Sequence, residues 1–325
     1  MMATPVLISS YALSPAHTVW DPALEAELLE GLCALPGVVG LEVPWIGAVH
    51  PHDTAWFESH VPVSARLAVT ALPWVMGRCA ATPAYGLASS DADGRAAAVA
   101  DLRALAADVR RLNDGGRARV DLVPLHTAPR GGGGAGGAGA ADALAASLAE
   151  LDDIDWDGAS LAIEHCDALV GGQPYEKGFL SLATELEVLA AHGGGVGMML
   201  NWGRSVIEVR DPDAVAAHVA QAAAAGLLRG LTFSGSAAAD GSYGPAWEDR
   251  HLPLASADPA ALSLLTDERV ADALSAAGDV DWLGLKVSRR PADRTAADVI
   301  RTAHDNLRVL DDLRTTGAQR AAASA

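Results

Sequence analysis

The sequence has few cysteines and few lysines, and its basic residues are outnumbered by acidic ones. Three cysteines in 325 residues, Cys33, Cys79 and Cys166, are too few and too scattered for a disulfide framework or a structural zinc site. The 23 Lys and Arg against 41 Asp and Glu give a formal net charge of −18, which would repel nucleic-acid phosphates and anionic lipid headgroups. We therefore expect neither nucleic acid nor a membrane as a partner.

Long apolar runs are missing as well. No run approaches the ~20 residues that a membrane-spanning helix needs, and the first ten residues lack the basic start and apolar stretch of a signal peptide. We therefore expect a cytoplasmic protein. Hydrophobic residues make up 50% of the chain and charged residues only 20%, so a large packed core is expected and general disorder is excluded.

Short apolar runs alternate with longer Ala- and Leu-rich segments that carry apolar residues at helical spacing. The runs are apolar throughout, which is typical of parallel strands buried on both faces. The eight predicted strands are Val6–Tyr11, Val38–Val43, Arg66–Leu72, Val120–Leu125, Ser160–His165, Gly197–Asn201, Gly230–Ser234 and Trp282–Val287. The eight predicted helices are Pro22–Ala34, Asp53–His60, Asp91–Leu112, Ala140–Leu151, Gly178–His192, Pro212–Ala225, Pro259–Ala276 and Ala296–Arg314.

Eight β–α repeats of this kind predict an α/β fold, a single (β/α)8 TIM barrel over residues 1–325. A doubly wound open sheet is the alternative, because strand order cannot be read from one sequence. Asp21-Pro22, Asp211-Pro212 and Asp258-Pro259 each place a capping acid before a proline, and each predicts a helix start.

Three segments depart from the repeat. The glycine-rich residues 131–139 predict a flexible loop after the fourth strand. The long segment 235–258 after the seventh strand contains many large side chains, which favours a functional loop over disorder. Residues 316–325 are expected to form a disordered tail.

The active site of a TIM barrel forms at the C-terminal ends of its strands, so the polar residues there are the candidates. Lys286 is one of only two lysines and lies in an apolar strand, which suggests a fixed cation for an oxyanion or a Schiff-base nucleophile. The alternative is a packed stem with its amine in solvent. Glu164 ends an apolar strand and is the candidate general base, with a structural ion pair as the alternative.

Further polar and aromatic residues follow the predicted strand ends. Glu42 and His251 are candidates for a second acid–base group. Indole rings suit the faces of a sugar, and arginines suit an anionic group on the substrate. The candidate substrate-binding residues are Tyr11, Trp45, Arg78, His126, His165, Asn201, Trp202, Arg204, Trp247 and Asp249.

Several short motifs resemble the xylose isomerase-like TIM barrel superfamily, which contains sugar isomerases, ketose 3-epimerases and endonuclease IV. Within it the chain resembles an uncharacterised branch labelled DUF4862. The motifs are SSYAL (9–13), GLEVPW (40–45), LAIEHCD (161–167), MLNWGR (199–204), WEDRHLP (247–253) and GLKVS (284–288). Their order and spacing carry the resemblance, which spans nearly the whole chain.

The resemblance implies a divalent metal held at the ends of strands five to eight. In this sequence those positions fall on or near Glu164, Asn201, Ser234 and Lys286, and only the first is a strong ligand. We therefore expect no cofactor, with Lys286 as the cation in place of the metal, and a bound divalent metal stays open as the alternative.

The sequence predicts a carbohydrate isomerase or epimerase that removes a proton next to the carbonyl of a small sugar or sugar acid. Two alternatives stay open: a Schiff-base aldolase or lyase using Lys286, and a barrel that binds carbohydrate without turnover. The sequence leaves the oligomeric state open, with a homodimer as one possibility.

Overall fold

Eight parallel strands succeed one another in chain order around a closed barrel, which confirms the predicted (β/α)8 architecture. The computed structural model describes residues 4–131 and 138–324. The strands are β1 Val6–Ser9, β2 Val38–Pro44, β3 Arg66–Thr70, β4 Arg119–Leu125, β5 Ser160–His165, β6 Gly197–Asn201, β7 Leu228–Phe233 and β8 Trp282–Leu285. All eight coincide with predicted strands, and four of them, β1, β3, β7 and β8, end earlier than predicted at their C-terminal ends.

The helices include several that the sequence analysis did not find. Those in the described part of the chain are α1 Ser10–Leu13, α2 Pro22–Cys33, α3 Thr54–His60, α4 Leu72–Ala81, α5 Ala92–Asp114, α6 Ala138–Asp152, α7 Leu182–His192, α8 Trp202–Val209, α9 Val215–Ala224, α10 Asp267–Ala277 and α11 Ala296–Ser324. Helices α1, α4 and α8 are short and begin within two residues of a strand end, so β1 and β3 end earlier than predicted, whereas β6 ends at Asn201 as predicted. Every residue of α8 from Trp202 to Glu208 is buried, including the polar Arg204, Ser205 and Glu208, so this helix has no exposed face.

Only one of the three predicted proline caps begins an α-helix. Asp21 accepts bonds from the N–H groups of Ala23 and Leu24 at the start of α2, as expected. Asp211 instead accepts from the N–H of Asp213 in a turn, and α9 begins later, at Val215. Asp258 caps a single 3₁₀ turn. An acid–proline pair thus starts a helical turn without fixing how far the helix continues.

The chain divides into two compact units. The central unit is Gly40–Met199, and the terminal unit combines Met1–Val39 with Leu200–Ala325. In the central unit, β2 to β5 pair side by side, with Leu125 of β4 opposite Ile163 of β5. In the terminal unit, β8 pairs with both β1 and β7. The expectation of a single domain stays a prediction.

The structure bears differently on the predictions for the glycine-rich stretch and for the C-terminal tail. Residues 132–137 of the glycine-rich stretch lie outside the described residues. Residues 316–324, expected as a disordered tail, continue α11, in keeping with the high helix propensity of their alanines. Among the described helices, none combines the length and the apolar character that a membrane span requires.

The segment 235–258, here called loop 7, is ordered by its own contacts. Gly235 and Leu252 form an antiparallel bridge near its two ends. Ala237, Leu252 and Ala261 form a small apolar cluster on which Tyr243 packs. The Tyr243 hydroxyl donates to Asp258 at 2.7 Å. These contacts hold in place the stretch that carries Asp249 and His251.

Candidate active-site residues

Glu164 and His126 meet at the ends of neighbouring strands of the central unit. The β4–β5 register, continued by one residue, places them opposite each other. Nε2 of His126 lies 3.1 Å from Oε2 of Glu164, and both side chains are 1% exposed. The partner of this carboxylate is an imidazole, which can gain or lose a proton near neutral pH, whereas an arginine could not. The pair can therefore hold or pass on a proton.

The next residues along the same strands make a second pair on the opposite face of the sheet. Nδ1 of His165 lies 2.7 Å from Oε2 of Glu185, and the Thr127 hydroxyl donates to Oε1 of Glu185 at 2.5 Å. Successive residues of a strand point to opposite faces, so His165 lies against helix α7 while its neighbour Glu164 does not. Both side chains of the His165–Glu185 pair are fully buried. His165, predicted to bind substrate, is thus held by a helix.

Glu185 was not found from the sequence, although a signal for it exists. Helix α7 buries Leu182, Leu186 and Leu189 on one face, and Glu185 lies three residues after the first and four before the last. A carboxylate in the middle of an apolar helix face must have a buried partner. The sequence does not say which partner that is.

Trp45 and Arg78 bond to carboxylates of helix α5. The Trp45 indole N–H donates to Asp108 at 2.8 Å, and the side chain of Trp45 is buried. Nε of Arg78 lies 3.3 Å from Asp101, with the Arg78 side chain 38% exposed. Glu42 is half-buried on β2. The contribution of all three to substrate binding or proton transfer stays a prediction.

Lys286 is fully buried in the terminal unit, directly after β8. The side chain has 0% exposure, so the alternative that its amine reaches solvent is wrong. Its Nζ lies 4.9 Å from the centroid of the Tyr11 ring, a cation–π distance. Tyr11 lies on helix α1, which follows β1. An ammonium group without water around it is a strong partner for any negative charge that develops nearby.

His251 forms a cluster with Ser234, Asp249 and Arg204, also in the terminal unit. Nδ1 of His251 lies 3.0 Å from the Ser234 hydroxyl and 3.1 Å from Asp249, whose other oxygen accepts from Nε of Arg204 at 3.1 Å. His251 has a φ of 54°, in the left-handed region that side chains rarely adopt. Such strain is characteristic of functional positions.

Burial is the main cause that lowers the pKa of His251 below its usual value. The Asp249 carboxylate opposes the shift by favouring the charged ring, and Lys286 and Arg204 add to it by repelling that charge. The ring is therefore neutral at neutral pH. A neutral imidazole can accept a proton from a substrate and return it, as general acid–base catalysis requires.

Three further candidates of the terminal unit have clear local contacts. The Asn201 side chain caps α8 by accepting from the N–H groups of Gly203 and Arg204. Trp202, the first residue of that helix, is 1% exposed. The Arg210 guanidinium lies over the Trp247 ring, 4.6 Å from the ring centroid, in a cation–π contact. These contacts explain why the residues are ordered, and their contact with a substrate stays a prediction.

The expectation of no divalent cation stays a prediction, and the local contacts of the four residues that the resemblance implies as ligands bear on it. Glu164 could supply a carboxylate, but the Asn201 oxygen accepts two backbone N–H groups and the Ser234 hydroxyl is bonded to His251. The side chain of Lys286, in its charged ammonium form, has no lone pair to donate. A hard divalent ion requires several oxygen ligands, and these four residues offer one carboxylate.

Comparisons with known proteins agree with this fold. The model of the family described as "Domain of unknown function (DUF4862)" matches residues 7–302. An uncharacterised protein of Salmonella typhimurium strain LT2, STM3670, is 34% identical over 287 residues, which cover 87% of this chain and 89% of that protein.

Solved structures of similar fold include sugar epimerases. An L-ribulose 3-epimerase superposes with a TM-score of 0.60 at 15% identity, covering 98% of both chains. The IOLI protein, solved with a bound zinc atom, gives 0.60 at 16% identity, covering 96% of this chain and 99% of that one. A D-psicose 3-epimerase, solved in the presence of D-fructose, gives 0.54 at 14% identity, with 96% and 99% covered. At this level of identity the likeness concerns the fold.

Proposed function

The chain belongs to the DUF4862 family, and from that premise we propose that it is a sugar isomerase or epimerase that transfers a proton next to a carbonyl group. The observation that carries the proposal is the buried Glu164 carboxylate bonded to His126. The fold shared with ketose 3-epimerases supports the same reaction class, because those enzymes act on the carbon next to the carbonyl of a ketose.

Glu164 is the base in this proposal. Its carboxylate removes the proton from the carbon beside the carbonyl, and the electron pair moves to the carbonyl oxygen to give an enediolate. His126 steadies the carboxylate through its 3.1 Å contact. Return of the proton to the neighbouring carbon isomerises the sugar, whereas its return to the other face of the same carbon inverts the centre.

Lys286 supplies the positive charge for the enediolate oxygen. A fixed, dehydrated cation stabilises a charge that exists only in the transition state and intermediate, which accelerates the reaction. We propose this ammonium in place of a metal, because Asn201 and Ser234 are engaged elsewhere. The reaction then proceeds without a cofactor.

His251 is the proposed second acid–base group. Its lowered pKa keeps the ring neutral at neutral pH, and Asp249 holds its orientation from 3.1 Å. Glu42 is the alternative second group, on β2. The buried Arg204, with Lys286, favours a substrate that carries a carboxylate or another anionic group. The proposed substrate class is therefore a small ketose or keto-sugar acid.

Deuterium exchange tests the role of Glu164. The wild-type chain is incubated in D₂O with L-ribulose, D-fructose, D-psicose and a panel of keto-sugar acids, and incorporation beside the carbonyl is followed by NMR. Glu164→Gln should lower the incorporation rate about 10²–10⁴-fold, the usual contribution of a general base.

Glu185→Gln is the matched control, since Glu185 is also a buried glutamate bonded to a histidine. The Glu185→Gln variant should incorporate deuterium at a rate of the same order of magnitude as the wild type. Equal rates for wild type and Glu164→Gln would remove Glu164 from the mechanism.

The second candidate function is a Schiff-base aldolase or lyase, favoured by the full burial of the Lys286 amine. Borohydride reduction in the presence of each ketose distinguishes the two reactions. Only the imine route leaves a covalent sugar adduct on Lys286, and Lys286→Arg would abolish it. Absence of an adduct together with proton exchange favours the isomerase.

A carbohydrate-binding barrel without activity is the third possibility that the same samples test. A sugar that raises the melting temperature and is recovered without isotope exchange or an adduct would identify a binding protein.

A further inference from the structure

The wall of the central unit contains a small cavity beside the proposed base. The cavity is lined by His126, Asp101, Tyr85, Trp74 and Trp45 together with apolar residues of β4, α4 and α5. About 20 Å³ of it is open to the centre of a water molecule, and about 10–15 Å³ is enough for one water. The cavity therefore has room for a single buried water.

Polar groups surround this space. Oδ2 of Asp101 accepts from the Trp74 indole N–H at 2.7 Å and from the Tyr85 hydroxyl at 2.9 Å. Nε of Arg78 lies 3.3 Å from the same oxygen. Within the described residues these three donors all contact Oδ2, so Oδ1 can accept a bond from a water. A water held by His126 and Asp101 would have the two to four partners that a buried water needs.

The residues that line the cavity include one that contacts the buried base and one that is partly exposed. Glu164 is 1% exposed and contacts His126, which is itself 1% exposed. His126 reaches the cavity, and Asp101 on its wall is 22% exposed. A base in such a buried position has to pass its proton to another group before it can exchange with the solvent. The chain from Glu164 through His126 and the cavity to Asp101 supplies those groups.

We propose that Asp101 and the cavity form a proton path that links Glu164 with bulk water. This proposal rests on the proposed function of Glu164 as the base. Glu164 in its acid form gives its proton to Nε2 of the neutral His126 ring, and the proton on Nδ1 leaves to the cavity water. That water gives a proton to Asp101, which releases it to the solvent, and no electron leaves or enters the path. Asp101 acts through His126 and is a positioning residue for proton transfer.

The path has a matched control on the same helix. Asp108 also accepts from a tryptophan indole, that of Trp45 at 2.8 Å, and lies seven residues after Asp101 on α5. Asp108 does not line the cavity. Asp101→Asn and Asp108→Asn therefore remove the same charge, each leaving an amide oxygen that can accept the indole N–H, and only the first alters the proposed path.

The test uses the full chain, labelled with ¹⁵N-histidine, with solvent water as the only probe. The His126 signal is assigned with His126→Gln, and the exchange of its ring N–H with water is measured by NMR. Asp101→Asn should slow this exchange about tenfold, a modest effect for loss of one proton-transfer group, while Asp108→Asn leaves it unchanged. Equal exchange rates in the two variants would overturn the path.

A second variant keeps the test decisive where Asp101→Asn fails to fold. Ala98 lines the cavity, and Ala98→Val reduces the space for water while leaving every polar group in place. Ala98→Val should also slow the exchange of the His126 ring N–H with water, and an unchanged rate would contradict the proposal.

The outcomes separate this proposal from the proposed function. Slower His126 exchange in Asp101→Asn supports the path even where no sugar is turned over, since the measurement needs no substrate. Where a ketose is turned over, Asp101→Asn should also lower the share of the abstracted proton lost to water relative to product. Turnover with unchanged exchange at His126 would retain the isomerase and reject the path.

Discussion

The central unit contains two histidine–glutamate pairs, and the terminal unit contains a histidine–aspartate pair with different surroundings. His126–Glu164 and His165–Glu185 lie on consecutive residues of β5 and are almost completely buried. His251–Asp249 lies on loop 7, where the His251 side chain is 16% exposed and two cations act on its ring. A histidine paired with a carboxylate thus occurs in three different environments.

The contrast shows how neighbouring contacts set the role of a histidine–carboxylate pair. Glu185 has both oxygens bonded to side chains, those of His165 and Thr127, and holds a strand against a helix. Glu164 ends β5 on the other face and contacts a histidine beside a cavity. His251 is kept neutral by burial and by nearby positive charge. Structural and chemical roles therefore follow from what surrounds each pair.

The largest effect on stability is expected at the second pair. Glu185→Gln removes the negative charge from two short bonds in a fully buried site and should lower the free energy of unfolding by about 1–3 kcal/mol. Glu164→Gln should cost less or be neutral, because functional groups are not optimised for stability. Urea unfolding of both variants measures the difference. A greater loss of unfolding free energy in Glu164→Gln than in Glu185→Gln would contradict the assignment of Glu185 as the structural and Glu164 as the functional glutamate.

A smaller effect is expected on the pKa of His251 when one of its charged neighbours is removed. Lys286→Met removes a cation that lowers the pKa of His251, so that pKa should rise. Asp249→Asn removes the carboxylate that favours the charged ring, so the pKa should fall further. NMR titration of the His251 ring in the three proteins gives both shifts. A shift of the His251 pKa in the same direction in both variants would contradict the assigned effects of Lys286 and Asp249.

The smallest effect is expected on the pH dependence of stability. The folded chain holds the pKa of His251 below the ordinary value of 6.5, so the unfolded chain binds this proton first as the pH falls. The free energy of unfolding should therefore decrease as the pH falls below 6.5, and less so in His251→Gln. Denaturant unfolding at a series of pH values measures this. Parallel curves for the two proteins would mean that the ring has its ordinary pKa.

Much of the fold could be predicted because its signals are local. Continuous apolar runs such as Ser160–His165 identify buried parallel strands from their own composition. Helix α8 was not predicted, because it is only eight residues long and follows β6 without a loop, so its polar residues were read as the end of a strand. Asp211 shows the limit of capping signals, since a turn satisfies its carboxylate before the helix begins.

The candidate site was predictable only in part, for a related reason. Glu164 and Lys286 are conspicuous because charged groups are rare in apolar strands. Trp45 and Arg78 were predicted from their position after strands, but their partners Asp108 and Asp101 lie on a helix 63 and 23 residues away in the chain. Convergence of Glu164 and Lys286 on one substrate stays a prediction.

The sequence by itself determined the eight alternating strands and helices and the presence of charged residues that must find partners in an apolar interior, whereas the order of the strands in the closed barrel came from the structure. Only the tertiary structure decided which partners they find: Glu185 for His165, Glu164 for His126 and Asp249 for His251. The physical reason is that periodicity and propensity act over a few residues, whereas a buried charge is satisfied by whichever group the packing of distant elements brings within hydrogen-bonding distance.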